Sequence, residues 1–222
     1  MKVIEAPDYP PNHRWPVTLR YGKLLLTPFH RRDLDEVSMV RTRNASWLSP
    51  WDATAPVRMQ PPPNPNRHMR SMWEQARRGY TLPWLVRWTE ADSCPVIGQC
   101  TVSNIVYGSA QYGSIGYWID QRYAGRSITP AAVALATDYC MTTMGLHRIE
   151  ICIRPENKAS LRVVEKLGFR YEGSRPRYIH IAGAWRDHEV FALTKEEVPQ
   201  GLLVRVPADV VGNPVLRIGT LA

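Results

Sequence analysis

Residues 154–169 read Arg-Pro-Glu-Asn-Lys-Ala-Ser-Leu-Arg-Val-Val-Glu-Lys-Leu-Gly-Phe, and they narrow the fold more than any other stretch of the chain. Just before them Ile149, Ile151 and Ile153 alternate with polar or small residues, as a half-buried strand requires. Asn157 then offers a side-chain oxygen to the unpaired amides of a helix start. Leu161, Val164 and Leu167 share one helical face, and Gly168 stands where a helix commonly ends in a left-handed residue. Phe169 begins a second strand at once. A short capped helix clamped between two strands leaves no slack, so the helix must lie on a sheet.

The remaining chain supplies the sheet. A first strand is expected over 21–28, through Leu24-Leu25-Leu26 to the break at Thr27-Pro28. Asp33 can cap a helix carrying Leu34, Val37, Met39 and Val40. Residues 60–66, Gln-Pro-Pro-Pro-Asn-Pro-Asn, force an extended connection because proline fixes φ and lacks a donor. A second helix over 67–78 turns Met69, Met72, Trp73 and Ala76 inward. Three strands, 82–88, 96–103 and 114–119, form a meander, and Thr129-Pro130 opens a long helix over 131–144 that stops at Gly145. Strand 148–154, the capped helix, and strands near 169–172 and 185–193 complete the order β-α-α-β-β-β-α-β-α-β-β. The expected class is α/β (α+β), a mixed central sheet of about seven strands flanked by about four helices.

With 222 residues, 44% hydrophobic and 22% charged, the chain fits one ordinary globular domain with extensions. We divide it into an N-terminal arm, 1–20, a folded domain, 21–197, and a C-terminal extension, 198–222. Twenty-eight Lys and Arg against 20 Asp and Glu leave a charge of +8, which favours anionic partners without choosing among a nucleotide, RNA or an acidic protein. Cys94, Cys100, Cys140 and Cys152 show no Cys-x-x-Cys spacing, so reduced thiols and no metal site are expected. The first residues lack an apolar signal segment and no later run is long enough to span a bilayer, which points to a soluble, cytoplasmic protein without a membrane partner.

Asn157, Ser160, Leu167, Gly168 and Phe169 resemble the Asn-x-x-Ser…Leu-Gly-Phe signature of the GNAT acetyltransferases. Within that family the match is to the RimJ/RimL branch, which acetylates ribosomal-protein N-termini. A second block, Arg122-Tyr-Ala-Gly125-Arg-Ser127, resembles the family's phosphate loop Arg/Gln-x-x-Gly-x-Gly/Ala and departs from it at Ser127. The resemblance runs over residues 23–195. It implies the GNAT fold, acetyl-CoA as cosubstrate, and a cofactor site made by Trp118, Ile119, Asp120, Arg122, Tyr123, Ala124, Gly125, Arg126, Ser127, Ile128, Asn157 and Ser160. The Ser127 hydroxyl stands where the backbone must approach phosphate, and can either donate to the phosphate or weaken its binding.

Acetyl transfer from a thioester to an amine needs a neutral amine, support for an oxyanion and a proton for the departing thiolate. The resemblance implies a free backbone amide near Ile119 or Asp120 for the oxyanion. It makes Ser160, by its match to the serine of the branch, the proton donor or relay at the CoA sulfur, and gives it more of the burden because the tyrosine that many members carry seven residues after the asparagine is Val164 here. Glu150, Glu172 and His180 are the candidates for the base, since Ser114 stands where some relatives place a carboxylate. Trp185-Arg186-Asp187-His188 also matches the branch; neighbouring strand residues face opposite ways, so Asp187 and His188 cannot form a dyad and a role in fixing the sheet is expected. The acceptor groove maps to residues 47–51 and 175–180. The acceptor implied is a protein N-terminal α-amine, with a small amine or antibiotic as the alternative, and a non-catalytic CoA-binding or ribosome-associated module as the reading from another class. Ribosome association and a homodimer are further expectations; specific nucleic-acid binding is not.

Overall fold

The computed structural model describes residues 15–56, 65–90, 92–212 and 216–219. Nine strands form one sheet: β1 (Thr18–Tyr21), β2 (Leu24–Pro28), β3 (Leu82–Trp88), β4 (Val96–Val106), β5 (Tyr112–Ile119), β6 (Arg148–Ile153), β7 (Arg170–Ile181), β8 (Ala184–Thr194) and β9 (Leu216–Gly219). Six helices accompany them: α1 (Leu34–Arg43), α2 (Ala45–Leu48), α3 (Pro65–Arg77), α4 (Ile128–Thr142), α5 (Lys158–Leu167) and α6 (Ala208–Val211). The spatial order is β7-β8-β6-β5-β4-β3-β2-β1-β9. The mixed α/β class and the four longer helices agree with the sequence reading. The strand number does not: the strand expected over 21–28 is β2, β1 precedes it across a turn at Gly22, φ 57°, in the stretch expected as an arm, and the tail adds β9 along β1. Both extra strands are only four residues long, too short to show alternation. Most of the expected N-terminal arm and of the proline-rich connection lies outside the described residues.

The capped helix forms as its sequence dictates. The Asn157 side chain accepts from the Ser160 amide at 3.1 Å, and Gly168 closes α5 at φ 67°, ψ 36°. Val163, Val164 and Leu167 pack into the main core beside Ile149, Ile151 and Ile153 of β6. α4 is different in kind. Ala131 to Ala136 are all buried, so the helix is apolar on every side and needs cover on two faces. The sheet covers one. Residues after β8 cover the other: the Asp138 carboxylate accepts from the Leu202 and Leu203 amides at 2.5 and 3.0 Å, and Leu202, Val206 and Val211 are buried. The segment expected as an extended arm thus lies on α4 as far as α6. The opposite face of the sheet carries a smaller core, Phe29, Val37, Met69, Leu85 and Val96, under α1 and α3.

Among the described residues one strand pair is parallel, β5 with β6, and it lasts three residues, Tyr112↔Arg148, Gly113↔Ile149 and Ser114↔Glu150. Beyond Ser114 the two strands part while β5 stays paired with β4 to Gly98↔Ile119. Gly98 permits that contact, since a Cβ there would sit 2.3 Å from the Trp118 carbonyl oxygen. Gly98→Ala is expected to push β4 and β5 apart and to cost about 1–3 kcal/mol, the usual penalty of overpacking. Urea unfolding of the two proteins side by side measures the loss; unchanged stability would contradict the contact.

Candidate active site

The parting of β5 and β6 makes a slot through the sheet. Asp120 donates its amide to the Ile97 carbonyl at 2.7 Å, which fixes the phase of the β4–β5 ladder. Antiparallel pairs alternate between bonded and non-bonded, so Tyr117 and Ile119 turn their amides away from β4 and toward the slot. The Ile119 carbonyl on that side accepts from Trp47 Nε1 at 3.1 Å. Of the two amides expected from sequence, that of Asp120 is therefore spent and that of Ile119 remains.

Two chambers meet at the slot. The larger, about 600 Å³, runs from Thr129 at the start of α4, past Gly116 to Ile119, to Asn157–Val163 on α5, and reaches Arg41, Trp47, Trp51 and Asp52. The smaller, about 220 Å³, is lined by Trp51, Ile153, Arg154, Ile179, Ile181 and His188 among others. Tyr117, Asn157 and Ser160 line both. The Tyr117 hydroxyl donates to the Ser160 carbonyl at 3.5 Å. Burial pushes its phenol well above the ordinary value, against a smaller opposing effect of Ser160, so it stays protonated. Tyr117 was not among the residues singled out from sequence. Its place on the meander is legible there, but not that β5 would part from β6 beside it.

The phosphate-loop residues gather at one helix start. The first amides of α4 have no partner within the helix, and Pro130 has none to offer. Ser127 is the N-cap at φ 57°, a left-handed conformation uncommon for serine. Its hydroxyl accepts from Lys166 Nζ at 3.0 Å, so the departure from glycine or alanine ties α4 to α5. Arg126 stacks over Tyr123 with its guanidinium carbon 5.4 Å from the ring centre, and Tyr123 donates to Glu90 at 2.7 Å. Gly125 takes φ 79°. Lys166, Arg122 and Arg126 thus surround a helix N-terminus, an arrangement that receives a polyanion. Ile128 is buried and can contribute only its backbone.

The Asp120 side chain, like its amide, is engaged within the protein. Its buried carboxylate is held by Arg43, at 2.6 and 3.1 Å, and by Arg122, at 2.9 Å, while the Arg122 amide donates to it at 3.1 Å. It has nothing left for a ligand and instead locks the loop to α1. Glu150 and Glu172 line neither chamber. Glu150 pairs with Arg148 and Arg175 at 2.9 and 3.1 Å, and Glu172 pairs with Arg148 and Arg170. The Arg148 contact, against burial and with Arg170 assisting, lowers the Glu172 pKa to about 2, where it cannot take a proton from an amine. His180 is likewise engaged: its Nδ1 lies 2.8 Å from Thr54 Oγ1 and 3.1 Å from the Thr54 carbonyl. It stitches residues 53–54 to β7, where Ala53 bridges Ile181, and so builds the groove wall. Ser160 is the one catalytic candidate that the slot brings together with the cofactor candidates Trp118, Ile119 and Asn157.

Comparison with known proteins accords with this geometry. Residues 23–170 match the family model described as an acetyltransferase (GNAT) domain. The chain belongs to the GNAT acetyltransferase family. It is accordingly an acetyl-CoA-dependent N-acetyltransferase. It is 31% identical over 192 residues to the Escherichia coli enzyme named [ribosomal protein uS5]-alanine N-acetyltransferase, covering 83% of this chain and 94% of that one. A shorter match to Bacillus subtilis YjcK, 38% identical over 105 residues, spans 47% of this chain and 58% of that relative. Among solved structures, Mycobacterium smegmatis RimJ in complex with CoA-disulfide superposes with a TM-score of 0.74 at 34% identity, over 90% of this chain and 97% of that one. No helix among the described residues is long and apolar enough to cross a membrane.

The Asp120 carboxylate is held below the ordinary carboxylate range: burial opposes this, but the contacts from Arg122 and Arg43 outweigh it. The folded-state value lies below the unfolded one, so the charge stabilises fully above about pH 4 and that contribution fades as the pH falls toward the folded value. Asp120→Asn is expected to cost about 2 kcal/mol at pH 7. The gap to the wild type should narrow below pH 4, as read from urea melts at pH 7, 5 and 3.

Proposed function

We propose that this enzyme transfers the acetyl group of acetyl-CoA to the α-amine of a protein N-terminus, with a ribosomal protein as the acceptor. The observation that carries the reading is the slot between β5 and β6, where a larger chamber running from the α4 N-terminus to Trp47 and Asp52 meets a smaller one beside His188 at Tyr117, Asn157 and Ser160. The residues fit the cosubstrate. Unpaired amides at the start of α4, with Arg122, Arg126 and Lys166, would hold its diphosphate. The Tyr117 and Ile119 amides would bind the pantetheine arm and polarise the carbonyl in the slot. Acetyl-CoA supplies the activated thioester; the chain aligns it and manages the protons.

Ser160 and Tyr117 stand together where the thiolate leaves, and we assign them the proton it needs. Val164 is buried in the core, so the phenol that many relatives carry on this helix comes here from β5 instead. The acceptor side favours a single amine on a peptide. Its carboxylates, Asp52 and Glu156, are each paired, with Arg41 at 2.5 Å and Arg154 at 3.2 Å, and Trp47, Trp51 and Trp118 provide aromatic wall. A polyamine or aminoglycoside carries several charges and needs clustered, free carboxylates. The relatives named for acetylation of ribosomal protein uS5 point the same way. A ribosomal acceptor also implies action in the cytoplasm.

Release of CoA thiol in the presence of a panel of free-amine peptides, the same peptides blocked at the α-amine, spermidine and an aminoglycoside tests the assignment. Free-amine peptides are expected to turn over, and blocked ones not. Faster turnover of spermidine or the aminoglycoside would overturn it. Ser160→Ala and Tyr117→Phe are each expected to lower kcat by about 10- to 100-fold, with the KM for acetyl-CoA nearly unchanged, because the proton is needed only as the thiolate departs. Steady-state kinetics on the best peptide provides the numbers.

A further inference from the structure

His188 belongs to no ion pair and to no core cluster, yet it is 3% exposed and lines the smaller chamber. β8 turns it there. Cys152 pairs with Val190 and Glu150 with Ala192, so alternation puts His188 on the same face of the sheet as Glu150 and, through Ser114↔Glu150, as Ser114, Gly116 and Trp118. That is the face of Trp47 and Trp51, the acceptor side of the slot. The tautomer is fixed as well. Nδ1 lies 3.0 Å from the Arg186 carbonyl, which can only accept, so Nδ1 carries a proton and neutral His188 presents an unshared pair on Nε2. No protein partner for Nε2 is found among the described residues.

We propose that His188 is the general base that takes the proton from the acceptor ammonium, reaching it from the smaller chamber where that opens onto the slot at Tyr117, Asn157 and Ser160. The proposal rests on the N-acetyltransferase reading above and supplies the base which Glu150, Glu172 and His180 do not. In the balanced step the ammonium gives one proton to His188 Nε2, and the freed nitrogen pair forms the C–N bond. The C–S bond breaks with its pair on sulfur, and sulfur receives the amine's second proton by way of Ser160 and Tyr117. His188 then returns its proton to water, so the net reaction releases one proton.

The surroundings suit the role. Burial lowers the His188 pKa and nearby Arg154 lowers it further, while the Arg186 carbonyl, Glu156 and Asp187 oppose them; the balance is downward. Other groups facing it are Cys152 on β6, Arg175, its register partner on β7, and Tyr178, whose ring lies edge-on with its centre 5.9 Å away. The imidazole is thus neutral at pH 7 and ready to accept. Chemistry at the slot is divided by face, with the proton acceptor on the acceptor side and the proton donors, Tyr117 of β5 and Ser160 of α5, on the face that α5 covers.

His188→Gln keeps a polar side chain of similar reach and removes the base. It is expected to lower kcat/KM for the peptide about 100-fold at pH 7, with the deficit shrinking toward pH 9 as the peptide amine loses its proton unaided. The KM for acetyl-CoA should move less than about 2-fold. The ascending limb of the wild-type pH–rate profile should give way to one that follows the peptide amine, at about pH 8. A folded His188→Gln protein with wild-type rates and an unchanged limb overturns the proposal. If that variant does not fold, nitrogen NMR of labelled wild-type histidines decides. Protonation of His188 Nε2 at the pH of the kinetic limb supports the proposal, and a mismatch overturns it. A wild-type enzyme that acetylates no peptide would overturn the preceding reading too, whereas loss of this one alone leaves peptide turnover intact.

Discussion

The parallel ladder between β5 and β6 ends at Ser114↔Glu150, and the arrangement of the site follows from that ending. A continued ladder would use the Tyr117 and Ile119 amides on β6 and close the passage through the sheet. Stopping it leaves polar backbone facing a cavity, which is costly unless something binds there. The chain maintains the opening from both sides. β4 holds β5 by a ladder that Gly98 allows to sit close, and β8 holds β6 along its whole length, from Arg148↔Thr194 to Ile153↔Glu189. The slot is the boundary between two separately braced halves of one sheet.

Electrostatics then places the loop that leaves β5. Asp120 is the first residue past the strand, and its carboxylate joins α1 through Arg43 to the loop through Arg122. The start of α4 is therefore located relative to the slot by a buried charge with two partners. The tail secures the same helix from behind through Asp138. A helix used for its unpaired amides must not fray, and α4 is held at its sides so that its first turn can stay open.

How much of this was legible in the sequence depended on whether a feature is local. Asn157 as cap, Gly168 as stop and the alternation of Ile149, Ile151 and Ile153 are local, and each took its expected place. The loop from Arg122 to Ser127 was found through a motif whose physics is that of one turn. What involved partners far along the chain was not read. The Asp120 amide looked free because its acceptor, the Ile97 carbonyl, lies on another strand. Glu172 resembled a base because Arg148 is met only across the sheet. Alternation along β8 keeps Asp187 and His188 from forming a dyad and turns His188 toward the chamber, but the chamber arises from the parting of strands that no local pattern announces. The tail looked like an arm because its covering of α4 is a matter of packing, although the all-apolar run in α4 was itself a sign that a second layer was needed.

The wall of the acceptor groove is assembled differently from its floor. Residues 50–54 reach the rest of the protein through a few points: the Pro50 carbonyl receives Arg154 at 2.8 Å, Trp51 lies under the same guanidinium, Asp52 pairs with Arg41 at 2.5 Å, Ala53 bridges Ile181, and Thr54 donates its amide to the His180 carbonyl at 2.8 Å. None of these contacts involves Ser160, Tyr117 or the amides in the slot. Substitutions along this segment can reshape what enters without moving the atoms that react. An ancestral enzyme built this way could exchange one amine for another by small steps in a single loop, keeping its chemistry intact throughout.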